Sequence, residues 1–452
     1  MPFQCTLLEL SEILNCLREN TTDYTWGRIC AGISTDTRTI TPNQAFLALR
    51  GEQFDGHRFL DRAVEKGAIA LIVENSHPLP PSNSIPVFRV DNTLEAYQKI
   101  AQWWRKQFSI PVIAITGSVG KTTTKELIAA VLSTQGQVHK TAANYNNEIG
   151  VPKTLLDLSD THNYAVIEMA MRARGEIAQL TAMTSPTIGV ITNVGTAHIG
   201  RLGGEDAIAE AKCELLATMP QDSIAILNHD NQRLINKAKT LWKGETLTYG
   251  LESGDIQGRL LASDLMEVEG NRFSLPLPGR HNALNYLGAL AVAKILGIDW
   301  QALSSGISVN LPGGRAQCYQ LADDILLLDE TYNAGLESML AALDLLKATP
   351  GTRHIAVLGA MKELGEYSAQ FHFQVGERVK QLGLDGLFVL VDDPASEAIL
   401  VGAGKGEGLK THGELMAKLK AEIRPGDRLL FKASHSVGLG RVVAALAQTL
   451  TI

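Results

Sequence analysis

Cysteine is scarce in this chain and carries no pattern. Cys5, Cys16, Cys30, Cys213 and Cys318 are scattered, odd in number and without a CxxC pair, which argues against a disulfide framework and against a structural zinc site. Long apolar runs are lacking as well. No stretch reaches the roughly 18 residues that cross a bilayer, so no membrane insertion is expected. A basic excess is missing too: 41 Lys and Arg stand against 48 Asp and Glu, a net charge of −7. A general nucleic-acid binder needs the opposite balance, although a local pocket can still hold a small phosphorylated ligand. The first residues show no basic segment leading into an apolar core. The expectation is a cytoplasmic protein that works as a monomer.

With 452 residues, the chain is too long for one core, and a prior of roughly 150 residues per domain predicts three. The pattern divides it at 1–108, 109–311 and 312–452. The first block opens on a helical spacing, Leu7, Leu8, Leu10, Ile13 and Leu14. Strand-like pieces follow at 46–49 and 68–73 with a helix between them over 58–66. A Pro- and Ser-rich loop spans 76–86, and an amphipathic helix over 93–107 closes the block. Its Trp103-Trp104 pair is expected to pack against a neighbouring domain. In the second block, short apolar runs at 111–116, 164–167, 188–192 and 224–227 alternate with helical segments, the last over 283–296. That alternation predicts a doubly wound parallel sheet. Leu311-Pro312-Gly313-Gly314 reads as a linker. The third block repeats the alternation and predicts a smaller Rossmann-like α/β domain. The fold class is therefore α/β throughout.

The most informative segment is Thr116-Gly117-Ser118-Val119-Gly120-Lys121-Thr122-Thr123. A buried strand, a glycine turn and a helix in immediate succession make an anion site, because the first N–H groups of a helix lack internal partners and the dipole is positive there. Gly117 and Gly120 let backbone approach phosphate. Lys121 supplies a cation for the β- and γ-phosphates of ATP, and Thr122 a hydroxyl for Mg²⁺. The long pattern GxxxxGK[ST] would need glycine at Ile115, so this is a shorter P-loop. By itself it leaves kinase, switch and ligase chemistry open.

The loop, followed by Thr141-Ala-Ala-Asn-Tyr-Asn146-Asn147-Glu-Ile-Gly-Val-Pro152, resembles the Mur ligases of bacterial cell-wall synthesis. Asp329-Glu-Thr-Tyr-Asn-Ala334 and Leu358-Gly-Ala-Met-Lys-Glu-Leu-Gly-Glu366 are similar to the branch that adds D-alanyl-D-alanine to UDP-N-acetylmuramoyl-tripeptide. The resemblance covers essentially the whole chain. It implies an N-terminal domain for the UDP-sugar, a central domain for ATP, and a C-terminal domain that closes on the site. It also implies the reaction: ATP phosphorylates the terminal carboxylate of the tripeptide, and the dipeptide amine displaces phosphate to form an amide. A carboxylate is a poor acyl donor until its oxygen becomes a better leaving group, and the transferred phosphoryl needs cations and positioning.

The same resemblance assigns roles residue by residue. Glu168, at the carboxyl end of a strand where open α/β sheets bind ligands, becomes a Mg²⁺ ligand; a solvated glutamate is the alternative. His198 becomes a second ligand, although nitrogen is an unusual partner for Mg²⁺ and a satisfied loop histidine is the plain alternative. Lys212 becomes a carbamylated lysine able to bind metal, against an exposed helical lysine. A carbamate forms on a neutral amine, which burial or nearby cations favour. Asn282 and Asn285 would meet the nucleotide, Asn285 at the adenine edge, with Asn282 equally a helix N-cap. Arg315 would neutralise phosphate, and Asp329 or Glu330 would hold the ribose or steer closure. Tyr332 and Asn333 would form the dipeptide pocket or a hinge. Asn146 and Asn147 join the substrate residues, as do Ser34, Asp36, Arg38, Asp55 and His57 for UDP, although Asp55-Gly56 is as good a turn.

Four positions depart from the family pattern. Ala170 and Ala433 stand for glycines, Ala360 for an aspartate and His435 for an arginine. The nearest rival reading is a sister ligase that adds one amino acid to a muramoyl peptide or glutamate to folate. A nucleotide switch that makes no bond is a second rival, with no evident use for Glu168, His198 and Lys212.

Overall fold

The computed structural model describes residues 3–19, 26–78 and 85–449. Residues 79–84 of the expected Pro- and Ser-rich loop lie outside the described residues. Among the described residues there are four sheets: a two-stranded antiparallel pair, 5–6 with 29–30, and three larger sheets, each of these three an α/β layer structure with helices packed on it.

The N-terminal sheet has the order 17–19, 87–90, 70–74, 45–47, 33–34, parallel except for 17–19 against 87–90. The first helix, Leu7–Leu14, starts at Thr6, whose hydroxyl accepts from the Glu9 N–H while the Glu9 carboxylate reaches back to the Thr6 N–H, a capping box. The helix Thr93–Arg105 binds this domain to the central one. Trp104 Nε1 donates to the Leu158 carbonyl at 3.0 Å, and the buried guanidinium of Arg105 donates to the carbonyls of Thr184 (2.9 Å) and Ser185 (3.1 Å). The tryptophan pair thus packs at the domain junction, as its apolar bulk suggested.

The central sheet has nine strands in the order 271–274, 265–268, 256–262, 246–250, 224–228, 188–191, 112–116, 164–168, 138–140. All pairings are parallel except those of the last two strands in sequence. Val112–Thr116 is wholly buried and lies between 164–168 and 188–191. The chain turns to opposite sides of this strand, so its carboxyl end opens on a crevice. The meander 256–274 had no counterpart in the sequence reading. Its strands interleave polar residues, Gln257 and Arg259 in the first and Asn271, Arg272 and Ser274 in the last, so none of them is a continuous apolar run.

The C-terminal sheet has the order 317–320, 326–329, 427–432, 353–358, 386–390, 407–409, parallel but for the first strand. The linker before it turns at Gly314, with φ +75°, a conformation that favours glycine. Loops from the carboxyl ends of the central and C-terminal sheets meet: Thr196 touches Glu337, and His198 touches Glu363.

Candidate active site

The strand Val112–Thr116 delivers the phosphate loop and the helix Lys121–Leu132 continues it. Gly117 and Gly120 have φ of +152° and +81°. A Cβ at Gly117 would overlap the Thr192 hydroxyl, and one at Gly120 would lie 2.6 Å from Asn285 Oδ1. Both glycines are therefore required by space as well as by conformation. The loop is braced from the end of the neighbouring strand. Asn193 accepts from Val119 N–H and donates to its carbonyl, both at 3.0 Å; Thr192 Oγ1 donates to the same carbonyl at 2.7 Å; Ser118 Oγ accepts from Gly195 N–H at 2.9 Å. These bracing residues escaped the sequence reading, because a Thr-Asn pair after a strand looks like any turn. Lys121 Nζ donates to the carbonyls of Gly117 (2.8 Å) and Ser118 (3.3 Å). Thr122 is buried, and Thr123 half-buried, on the first turn.

Glu168 ends the strand Tyr164–Glu168 and is 2% exposed, which rules out a solvated glutamate. Its Oε1 accepts from Asn146 Nδ2 at 2.8 Å. Its Oε2 is buried and accepts no hydrogen bond. The one cation beside that oxygen among the described ion pairs is Lys125, at 3.9 Å, a fully buried residue that the sequence reading did not single out. Lys125 also donates to the Thr141 carbonyl at 2.8 Å and pairs with Glu126 at 3.0 Å. An orphaned carboxylate oxygen beside a hydroxyl-bearing anion loop is the donor set a hard divalent cation takes.

Lys212, in the helix Glu205–Thr218, is buried rather than exposed. Burial pushes its ammonium well below its ordinary pKa, and the charge of Lys121 adds to this. Burial also lowers Lys121, with Glu168 opposing and Arg315 assisting. His198 has φ +65° at the start of the short helix Ile199–Leu202. Burial lowers its pKa, as do Lys121 and Lys212, while Glu363 opposes. The fold has brought Lys121 within electrostatic reach of Arg315, Lys212, His198 and the Glu168 carboxylate, and His198 within reach of Lys212. Such a site favours an anion.

The C-terminal domain adds a second set. The Arg315 guanidinium stacks 3.8 Å from the centre of the Tyr332 ring, and its buried Nε has no acceptor. Tyr332 stands 5.5 Å from the exposed ring of His435. Asp329 Oδ1 accepts from the N–H (3.0 Å) and hydroxyl (2.6 Å) of Thr331. Glu330 Oε1 accepts from Ala316 N–H at 3.1 Å, and burial raises its pKa against the pull of Lys432. Lys432, also missed from sequence, is buried and donates to the Asn333 carbonyl at 2.9 Å. Ala360 and Ala433 are wholly buried in the core of this domain, where apolar packing accounts for them; Ala170 is half-buried, its N–H donating to the Asn146 carbonyl.

Between the two domains lies a cavity of about 680 Å³ lined by Leu260, Pro278, Asn282, Cys318, Asp329 and Leu345, among others. Asn282 is not a helix N-cap: the helix runs Arg280–Ile295 with Gly279 before it, and the Asn282 amide donates back to the Pro278 carbonyl at 2.8 Å. Asn285 is turned toward the phosphate loop, its Oδ1 accepting from Thr124 at 3.3 Å. Asn147 is engaged locally. Its Oδ1 accepts from the N–H groups of Ile149 (3.3 Å) and Gly150 (2.9 Å) in the turn before the helix Gly150–Leu156, while Asn146 is occupied with Glu168.

In the N-terminal domain, Ser34 Oγ lies 3.1 Å from the Asp36 carbonyl, and Asp36 makes a bidentate pair with the exposed Arg38. That hydrogen-bonded guanidinium lowers the Asp36 carboxyl to about 2, with Lys153 of the central domain adding to the effect. His57 turns inward. Its side chain is fully buried, with Nδ1 2.6 Å from Asp55 and Nε2 accepting from Glu74 N–H at 3.0 Å. Both nitrogens are spent on the fold, and Asp55 serves as the cap of that turn.

Sequence comparison places this geometry. The Mur ligase catalytic-domain, middle-domain and glutamate-ligase-domain families match residues 30–105, 115–293 and 314–435. The chain is 59% identical over 420 residues to the UDP-N-acetylmuramoyl-tripeptide–D-alanyl-D-alanine ligase of Synechocystis, covering 92% of this chain and 91% of that one. It is 38% identical to the Escherichia coli enzyme of the same name, covering 98% of each. A crystal structure of MurF from Acinetobacter baumannii superposes with a TM-score of 0.90 at 30% identity, covering 99% of both chains. MurF ligase of Thermotoga maritima in complex with ADP superposes with a TM-score of 0.82 at 30% identity, covering 92% and 97%. With its phosphate loop, its orphaned strand-end carboxylate and its C-terminal α/β domain, this chain belongs to the Mur ligase family.

Proposed function

We propose that this enzyme joins D-alanyl-D-alanine to the terminal carboxylate of UDP-N-acetylmuramoyl-tripeptide, converting ATP to ADP and phosphate in peptidoglycan precursor synthesis. The observation that carries it is the convergence of the phosphate loop, the unpartnered Glu168 Oε2 and the buried Lys212 beneath a second α/β domain. The relatives that share the whole chain length are named for this reaction.

Residues 1–108 hold the UDP-sugar, 109–311 bind ATP, and 312–452 close over it and help bind the dipeptide. The adenosine occupies the interdomain cavity, with Asn282 on one wall and Asp329 on the other. The loop N–H groups cradle the phosphates, and Lys121 swings from the loop carbonyls onto them. Arg315, held flat by Tyr332, offers its free Nε to the transferred group. Thr122, Glu168, His198 and Lys212, the last as a carbamate, would hold Mg²⁺. Bound there, Mg²⁺ would neutralise phosphate charge. The burial that lowers the Lys212 pKa also favours the neutral amine that carbamate formation requires. The tripeptide carboxylate attacks the γ-phosphorus and ADP departs; the neutral dipeptide amine then attacks the acyl carbon, phosphate departs, and the amine loses a proton. The enzyme acts as a monomer in the cytoplasm, where both substrates are water-soluble.

Phosphate release measured with each substrate alone and with both together tests the reading. Release only when both are present is the expected result. Release with a single amino acid in place of the dipeptide would assign a sister ligase, and release with ATP alone would point to a switch.

A further inference from the structure

His198 reaches across the gap between two domains. Its Nδ1 lies 2.7 Å from Oε2 of Glu363, and the other oxygen of that carboxylate accepts from Arg201 at 3.2 Å. Glu363 belongs to the loop after the C-terminal strand Arg353–Leu358, not to the central sheet that carries Glu168 and Lys212. Both partners are left-handed, with φ of +65° at His198 and +64° at Glu363. Residues other than glycine stay in that region when their surroundings over-determine them, and such residues gather at functional sites. The backbones behind them nearly touch: a Cβ at Gly200 would lie 2.6 Å from the Gly365 nitrogen.

An ionised carboxylate only accepts, so Nδ1 is the donor. A neutral imidazole that donates from Nδ1 carries its lone pair on Nε2. Among the described residues, Nε2 has no hydrogen-bond partner. We propose that Glu363 is a positioning residue for the cation site: by accepting from Nδ1 it fixes the tautomer and ring orientation of His198, so that the site is complete only while the C-terminal domain is closed. The proposal rests on the reading of His198 as a metal ligand. Ligating histidines commonly hand their second N–H to a carboxylate, and loss of that partner weakens metal binding about 10–100-fold. Here the partner comes from a different domain. By reciprocity of coupled equilibria, a cation that binds the closed form more tightly favours closure by the same factor.

The test uses the full chain, with Mn²⁺ as the probe in the presence of a non-hydrolysable ATP analogue. Binding is followed by electron paramagnetic resonance and closure by small-angle scattering. Glu363→Ala should weaken the His198-dependent Mn²⁺ site about tenfold or more and abolish the Mn²⁺-induced compaction. Glu363→Gln, whose amide oxygen still accepts from Nδ1, should recover most of the affinity. Arg201→Ala removes the other contact of the carboxylate and should leave Mn²⁺ affinity unchanged. If His198→Ala binds Mn²⁺ like the wild type, the metal-ligand reading itself fails. If His198→Ala loses the ion while Glu363→Ala keeps it, the ligand reading stands and the positioning role is overturned. Equal losses in Arg201→Ala and Glu363→Ala would also overturn it, because the carboxylate would then act only as a latch.

Discussion

Glu337 of the C-terminal domain holds Thr196 of the central domain by two hydrogen bonds, one from the Thr196 N–H at 2.7 Å and one from its hydroxyl at 3.2 Å. A Cβ at the adjacent Gly195 would lie 2.5 Å from Glu337 Oε1, so glycine is what lets the carboxylate reach the backbone. Hydrogen bonds to a charged group are worth about 1.5–3 kcal/mol. Glu337→Ala should therefore lower kcat/KM by roughly 10- to 100-fold without lowering the melting temperature of the central domain. Small-angle scattering should show a larger radius of gyration in the variant. An unchanged radius together with unchanged kinetics would remove Glu337 from the closing machinery.

Lys121 is tied to two loop carbonyls, so its loss costs the fold little and the chemistry much. Lys121→Ala should reduce turnover by about 10²–10³ or more while circular dichroism and unfolding midpoint stay close to the wild type. Full turnover in a folded variant would refute the phosphate-loop assignment.

Lys212 carries a different signature. Lys212→Ala should lose activity that added bicarbonate or short carboxylic acids partly restore, because a small carboxylate can stand where a carbamate would. A fully active Lys212→Ala, needing no additive, would refute the role.

His281 lines the interdomain cavity. Burial, with the charge of Lys432 adding to it, pushes its pKa down to about 4. Between pH 6.5 and pH 4 the unfolded chain binds a proton at this position that the folded chain does not, so its contribution to stability is lost as pH falls through that window. His281→Gln should flatten the fall in unfolding free energy, measured by urea titration, between pH 7 and pH 5, by roughly 1 kcal/mol after allowing for partial exposure. Parallel pH profiles for wild type and variant would show that the imidazole is solvated.

Much of the site was legible in the sequence, for physical reasons that differ from residue to residue. The loop 116–123 was plain because an apolar strand, two glycines and a helix are consecutive, and the anion site is made by the backbone itself. Glu168 was legible because strand ends in parallel sheets face the crevice. Lys125 and Lys432 were not, since a lysine in a helix or strand looks solvent-bound until the packing around it is known. His57 illustrates the opposite case: its motif suited UDP contact and a structural turn equally, and the fold engages both its nitrogens internally.

The sequence by itself determined the strand–helix alternation, the three α/β units and the chemistry of the phosphate loop. Each is written in contiguous residues, through apolar period, glycine placement and helix-start geometry. Only the tertiary structure decided which lysines are buried, which oxygen of Glu168 is left free, and that Glu337 and Glu363 meet Thr196 and His198. The last two contacts join residues 141 and 165 positions apart. Their geometry depends on how the carboxyl ends of two separate sheets come to face each other, and no local pattern encodes that.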